Sequence, residues 1–422
     1  MKKISFIVLS LVVVLSACKK DPKDSKSYKK YTFYPSSYSE ADVQEAMINM
    51  DNGDTIYFTQ GTYNFSSTLS IDGKSNIVVT GDGRTNTTLD FANQTTGAEG
   101  LKGSSLNFVM FRDFTLQDAR GDGIKIKDAD GLTFLRVGVV FTSPEDSTNG
   151  GYGLYPVTSR NVFIDDCYVA GASDAGIYVG QSQQVIVRNS LVEKNVVGME
   201  IENCINSDVY GMTARNNTGG IAIFDLPNLP VIKNGNTCRV FNNTLINNSG
   251  KNFAPSGSIV ANVPTGTGIM LLASKKTEVF NNTITENNVM GVGIIAYNTF
   301  LTLNSSLTLT DLAYVSFCKD INVHNNNITG STTKPAQMNN IATLLSTIVF
   351  PSGNVPEILY DGFVHPDYTS STNKGICIKN NGTVRFSNMD VPNTFANMSS
   401  DVTPHDCSPS ALPAVTIVAP GY

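Results

Sequence analysis

Seven side chains fitted for acid–base, ionic or stacking chemistry recur at matching places in the first half of this chain. They are Lys125, Lys127, Asp128, Tyr155, Tyr178, Glu200 and Glu202, each two to five residues after a glycine. Aromatic rings beside hydrogen-bonding charges form the kind of shallow trough that holds a sugar chain. Acting on a uronic acid polymer, such a set would serve lyase or C5-epimerase chemistry. A cation would neutralise the sugar carboxylate, a base would take the C5 proton, and an acid would protonate the leaving oxygen or the opposite face. Lys125 or Lys127 suits the first task, and Tyr155 with Tyr178 the other two. The candidate catalytic set is therefore Lys125, Tyr155, Tyr178 and Glu200, with Lys127, Asp128 and Glu202 binding substrate. Calcium held by Asp165, Asp166, Glu200 or Glu202 would replace the cation, since carboxylates are hard oxygen ligands. The plainer alternative makes tyrosine a good strand former and Lys125 near Glu200 a solvated ion pair.

These residues share a face only if the segments carrying them stack. Each follows a phrase of glycine and then apolar-x-apolar, beginning at Gly123, Gly153, Gly176, Gly198, Gly220, Gly268 and Gly293. From Gly153 to Gly220 the steps are 23, 22 and 22 residues. A period of that length marks a solenoid, in which each repeat buries its apolar side against its neighbours. Strand alternation then points the first and third residues after the glycine inward and the second and fourth outward. The predicted outward rows are Lys125, Tyr155, Tyr178, Glu200, Ala222, Met270, Ile295 and Lys127, Val157, Gly180, Glu202, Phe224, Leu272, Tyr297. A second recurring strand ends in Asp113, Asp166, Asn189, Gly211, Asn242, Asn281 or Asn325, residue types that tolerate left-handed backbone. Leu135-Arg136-Val137 breaks this pattern. With coils ~4.8 Å apart, Asn189, Asn242, Asn281 and Asn325 are expected to form ladders of side-chain amides.

The chain has 422 residues, 16% of them charged, with 35 Gly and no Trp. A solenoid adds core linearly, so one long domain is expected where a globular chain would divide. The net charge of −6, or −8 without Lys2 and Lys3, argues against nucleic acid as a partner. Residues 1–17 read as a signal peptide: two lysines, then an apolar run from Ile4 to Leu15 too short to span a bilayer. Residues 18–30 read as a flexible tether, 31–330 as the solenoid, and 331–422 as an irregular region packed on it. Ser39 to Met50 reads as a helix plugging the first coil, whose open edge needs covering. Asp225–Asn234 and Asn247–Pro264 are inserted loops, and Phe300–Phe317 is either another coil or an excursion. Cys377 and Cys407, in the irregular part, are the pair expected to form a disulfide.

Several features resemble right-handed parallel β-helix proteins of the pectin-lyase-like class. These are the N-terminal helix with Gly53-Asp54-Thr55-Ile56 and Gly61-Thr62-Tyr63, the segment Asn76-Ile77-Val78-Val79-Thr80-Gly81, and the 22-residue coils with Asn turns. Leu15-Ser16-Ala17-Cys18 resembles a bacterial lipobox, which implies lipidation at Cys18, and by the same resemblance Lys19 at the second mature position implies an outer-membrane address. With Leu359-Tyr360-Asp361-Gly362 and His405-Asp406-Cys407-Ser408, the whole chain resembles parallel β-helix repeat lipoproteins. The resemblance implies an all-β fold and brings no catalytic residues with it. The Gly-His-Gly segment of β-helix polygalacturonases is absent, and Asp165-Asp166 is the one adjacent Asp pair, so hydrolysis is the weaker chemistry. Thr403-Pro404-His405-Asp406 is similar to the Asp-Pro-His-Asp motif of mannuronan C5-epimerases. It lies in a Pro-rich tail instead of a coil, and is read as coincidence. The expectation is a monomeric, envelope-anchored protein that binds a polysaccharide and modifies it if active. A membrane contact is expected through the lipid alone. The alternative is a scaffold whose inserted loops dock an exported protein partner.

Overall fold

Short runs of β-branched and aliphatic residues, punctuated by Gly, Asn and Asp, give strands of three to nine residues joined by tight corners. The computed structural model describes residues 28–303, 308–330, 334–370 and 372–418. Among the described residues the strands assemble into three parallel sheets of 12, 11 and 10 strands. One coil visits all three in turn. Ala175–Gly180 lies in the 11-stranded sheet (sheet 2), Gln183–Arg188 in the 12-stranded sheet (sheet 1) and Leu191–Glu193 in the 10-stranded sheet (sheet 3). Each strand pairs with the strand one coil later, as Val185 does with Ser207 and Val192 with Ala214. A single apolar bore runs down the centre. Ile124, Ile126, Leu154, Ile177, Val179, Met199, Ile201, Ile221 and Ile223 all contribute to it.

The predicted glycine column exists. A Cβ on Gly153, Gly176, Gly198 or Gly220 would stand 2.6–2.8 Å from the carbonyl oxygen of the next glycine in the stack. Only hydrogen fits there. The column's last member is Gly291 and not Gly293, because Ile269 pairs with Val292 and Met270 with Gly293. At this coil the outward rows therefore carry Gly293 and Ile295 instead of Ile295 and Tyr297. Tyr297 opens a helix, Tyr297–Leu303, so the described residues of Phe300–Phe317 form an excursion from the stack.

The asparagine expectation is corrected by one residue. Asn189, Asn242, Asn281 and Asn325 adopt φ of 50–54° and turn the chain from sheet 1 to sheet 3. Arg136 takes the same conformation at 52°, gripped by Asp113 through Nε at 2.5 Å and Nη2 at 2.9 Å. The amide ladder is formed by the next residue: Asn243, Asn282, Asn326 and Asn381, each amide donating to the following side chain at 2.9 Å. A second ladder, Asn195, Asn217, Asn248 and Asn287, runs along another corner at 2.9–3.1 Å.

Helix α1 (Glu40–Asn49) is capped by Ser39, whose hydroxyl accepts the Asp42 N–H at 3.1 Å. It buries Val43, Ala46 and Met47 against the first coils. Strand Lys30–Phe33 pairs with Thr55–Phe58, so the stack starts at the last residue of the expected tether. Strands of two of the three sheets also continue past residue 330. Ile358–Tyr360 and Phe386–Asn388 extend sheet 2, and Ile376–Lys379 extends sheet 1. Cys18 and the signal peptide lie outside the described residues.

Candidate functional site

On sheet 2, parallel register turns distance in sequence into adjacency. Lys125 pairs with Tyr155 and Lys127 with Val157; Tyr178 pairs with Glu200 and Gly180 with Glu202. Leu154 beside Ile177 sets Tyr155 next to Tyr178. The strand residues among the candidates thus occupy the outer face, as alternation requires. Asp128, with φ of 55°, sits at the corner leaving the sheet, 3.5 Å from Lys127 and accepting the Thr158 hydroxyl at 2.5 Å.

The trough is roofed over its later half. Glu200, Tyr178 and Glu202 are only 1%, 5% and 7% exposed. The inserted loop after Asn247 folds onto this face, where Phe253, Val260 and Val263 join a second apolar cluster with Tyr178, Val196 and Val197. Asn252 ties that loop to itself through the Val260 and Val263 carbonyls, and Ser258 donates to Asp174 at 3.2 Å. Towards the earlier coils the face opens. Tyr152, Tyr155 and Lys125 are half-buried, while Lys127 and Asp128 are exposed.

Three tyrosine rings form the centre. Tyr152 lies 4.6 Å from Tyr155 and 4.4 Å from Tyr178, and Tyr155 meets Tyr178 edge-on at 4.9 Å. Tyr178 donates to Glu202 at 2.8 Å, its ring lying where a side chain on Gly180 would collide with it. Lys125 stands 4.5 Å over the Tyr155 ring and bonds Asp122 at 3.2 Å, with Glu99 at 3.9 Å. Its partners are these two carboxylates, and the Lys125–Glu200 pair of the plainer alternative does not form. Tyr152, Asp122 and Asp174 were not singled out by the repeat because they precede the strand's first inward residue. Their signal was a polar or aromatic residue one place ahead of Gly123 and Gly153 and two places ahead of Gly176.

Burial governs the electrostatics. Glu200 has no hydrogen-bond partner on either carboxyl oxygen, and desolvation, then Glu202 and Asp174, push its pKa well above the ordinary value. Desolvation likewise raises Asp174 and Glu202 to about 7. Desolvation and the nearby carboxylates raise Tyr155 to about 12 and Tyr178 well above the phenol range. A base at C5 needs a phenolate, so the environment opposes that role for Tyr155 and Tyr178 and keeps both as neutral donors.

The expected calcium ligands do not converge. Asp165 ends a sheet 1 strand, bonded to Arg188 and Asn189, and Asp166 lies at the next corner beside Arg84. Glu200 and Glu202 are on sheet 2. Among the described residues, no group of three or more His, Cys, Asp or Glu is placed to hold a metal ion. Cys377 and Cys407 are joined by a disulfide. His405 is buried beside it, with Nδ1 3.0 Å from the Ile376 carbonyl and its ring against Tyr360 and Phe386, remote from the tyrosine face.

The family described as the right handed beta helix region matches residues 96–260. No curated protein matches the sequence. Among solved structures, the polygalacturonase of Erwinia carotovora is similar at 13% identity and TM-score 0.48, covering 76% of this chain and 96% of its own. An alginate lyase of Paenibacillus is similar at 11% identity and TM-score 0.46, covering 72% and 96%. ORF18 of Geobacillus virus E2 aligns at 14% identity and TM-score 0.46 over 70% of this chain, which spans 55% of that protein. The family match and the three stacked parallel sheets agree: this chain folds as a right-handed parallel β-helix.

Proposed function

We propose that the open half of the sheet 2 face binds a polysaccharide, on a protein anchored to the cell envelope through a lipid on Cys18. The observation that carries this reading is the cluster of Tyr152, Tyr155 and Tyr178, with Lys125 and Asp122 at its exposed edge. Tyr152 and Tyr155, half-buried against the buried Tyr178, offer flat apolar area to a sugar ring, and the flanking charges accept and donate hydrogen bonds to its hydroxyls. Lyase or epimerase turnover has less support than binding. Lys125, the cation meant to neutralise a uronate, is already held by Asp122 and Glu99, and the phenols are hard to ionise. With the Lys125 charge already compensated by Asp122 and Glu99, the face favours a neutral sugar over an anionic one.

A glycan array probed with the chain lacking residues 1–18 tests the reading. Tyr155→Ala is expected to weaken retention of the bound glycan at least ~10-fold, the loss of one stacking anchor. Retention unchanged by Tyr155→Ala rejects the tyrosine face. New ultraviolet-absorbing unsaturated ends would select a lyase, and capture of no glycan would favour the scaffold that docks an exported protein.

A further inference from the structure

Further along the same outer face the chemistry changes. The first outward row runs Lys125, Tyr155, Tyr178, Glu200 and then Ala222, Met270, Gly293, Leu359. The second ends in Phe224, Leu272 and Ile295. An outward strand face is ordinarily polar, so this apolar stretch requires a cover. The excursions supply walls: Tyr297–Leu303, the helical segment at residues 340–349, and the turn at Val391–Asn393. They do not fill the space. A cavity of about 530 Å³ remains between them and the sheet, with no charged residue in its lining.

Its shape follows from the rungs beneath it. Met270, Gly293 and Leu359 lie on successive strands and Met389 follows the next, so the floor spans four rungs, roughly 14 Å at the ordinary strand spacing. The Met290 side chain packs over Gly293, where a Cβ would meet it at 2.8 Å, and so forms the middle of that floor. Methionines at Met270, Met290 and Met389 adapt their shape to an apolar guest. Polar side-chain groups, from Ser258, Asn262, Tyr297 and Thr299, are few. The volume is that of a small-molecule site.

We propose that this slot binds one extended hydrocarbon chain, the tail of a fatty acid or of a membrane lipid, lying along the stack with its polar end towards Ser258 and Asn262. A sugar finds few partners there, and a floor running along four rungs suits a linear chain better than a fused-ring body. This site is separate from the tyrosine face and stands or falls without it.

The test titrates the chain lacking residues 1–18 with cis-parinaric acid, a fluorescent linear C18 acid, and competes with palmitate. Saturable binding of one probe per chain, displaced by palmitate, is expected. Leu359→Phe on the floor and Leu344→Glu on the wall are each expected to weaken binding at least tenfold, with glycan retention unchanged. Uptake of a pyrene-labelled phosphatidylethanolamine from vesicles would assign the lipid source, and binding of the free acid alone would assign the other. No saturable binding of either probe, binding that survives both substitutions in folded protein, or stronger competition by a sterol than by palmitate would overturn the proposal.

Discussion

Glu200 is held in the protein interior with neither oxygen bonded, so burial, Glu202 and Asp174 decide its charge. All three carboxyl groups keep their protons in the folded chain at pH values where the unfolded chain has released them. The folded state therefore binds more protons, and stability falls as pH rises from about 4 through about 7, where Asp174 and Glu202 ionise, with Glu200 extending the loss further. Glu200→Gln removes one such proton without changing shape. It is expected to stabilise the protein by ~1–3 kcal/mol at pH 8 and hardly at all at pH 4.5, read from urea unfolding at the two pH values. Equal effects at both would show that the carboxyl is not the strained group. The identity and strand position of Glu200 were legible in the 22-residue spacing. Its burial was not, because the cover comes from Phe253, Val260 and Val263 in a loop that follows no repeat.

At the scale of the element, each coil is closed by corners built from a pair of neighbouring residues with different tasks. Asn242 and Asn281 supply left-handed backbone, while Asn243 and Asn282 supply the buried amides. Within its ladder, Asn282 donates to Val240 and Asn326 and accepts from Asn243, so Asn282→Ala strands several buried groups. Its expected cost is ~3 kcal/mol. Asn242→Gly keeps the turn and is expected to cost under ~0.5 kcal/mol. Thermal unfolding of the two variants compares them, and equal midpoints would dismiss the ladder as a source of stability. From sequence, both asparagines of each Asn-Asn pair were visible, and the choice between them was not. It depends on which one the corner turns inward. The glycine column was readable because steric exclusion at Gly153, Gly176, Gly198 and Gly220 permits one residue type. It misled at Gly293 because Gly291 stands two residues away, and alternation reads both as equivalent.

Across the whole molecule, contacts in a stack are mostly between adjacent coils, so its ends melt with some independence from its middle. The last coil is held by the disulfide from Cys377, on a sheet 1 strand, to Cys407, 30 residues later. Cys407→Ser is expected to lower the stability of this end by ~3 kcal/mol, the loop-closure effect of such a crosslink. It should appear as an early unfolding step that leaves the earlier coils intact under hydrogen exchange. A single transition shifted as a whole would mean that the ends do not melt separately.

After Cys407 the chain turns back along the stack. The Leu412 N–H reaches Glu278, the Val415 N–H reaches Asp208 and the Val418 N–H reaches Asn161, across sequence separations of 134, 207 and 257 residues. Such a strap ties together layers that otherwise know only their immediate neighbours. Fraying that starts at the far end must first peel this ribbon from rungs near the centre, so the stack cannot simply unzip one layer at a time.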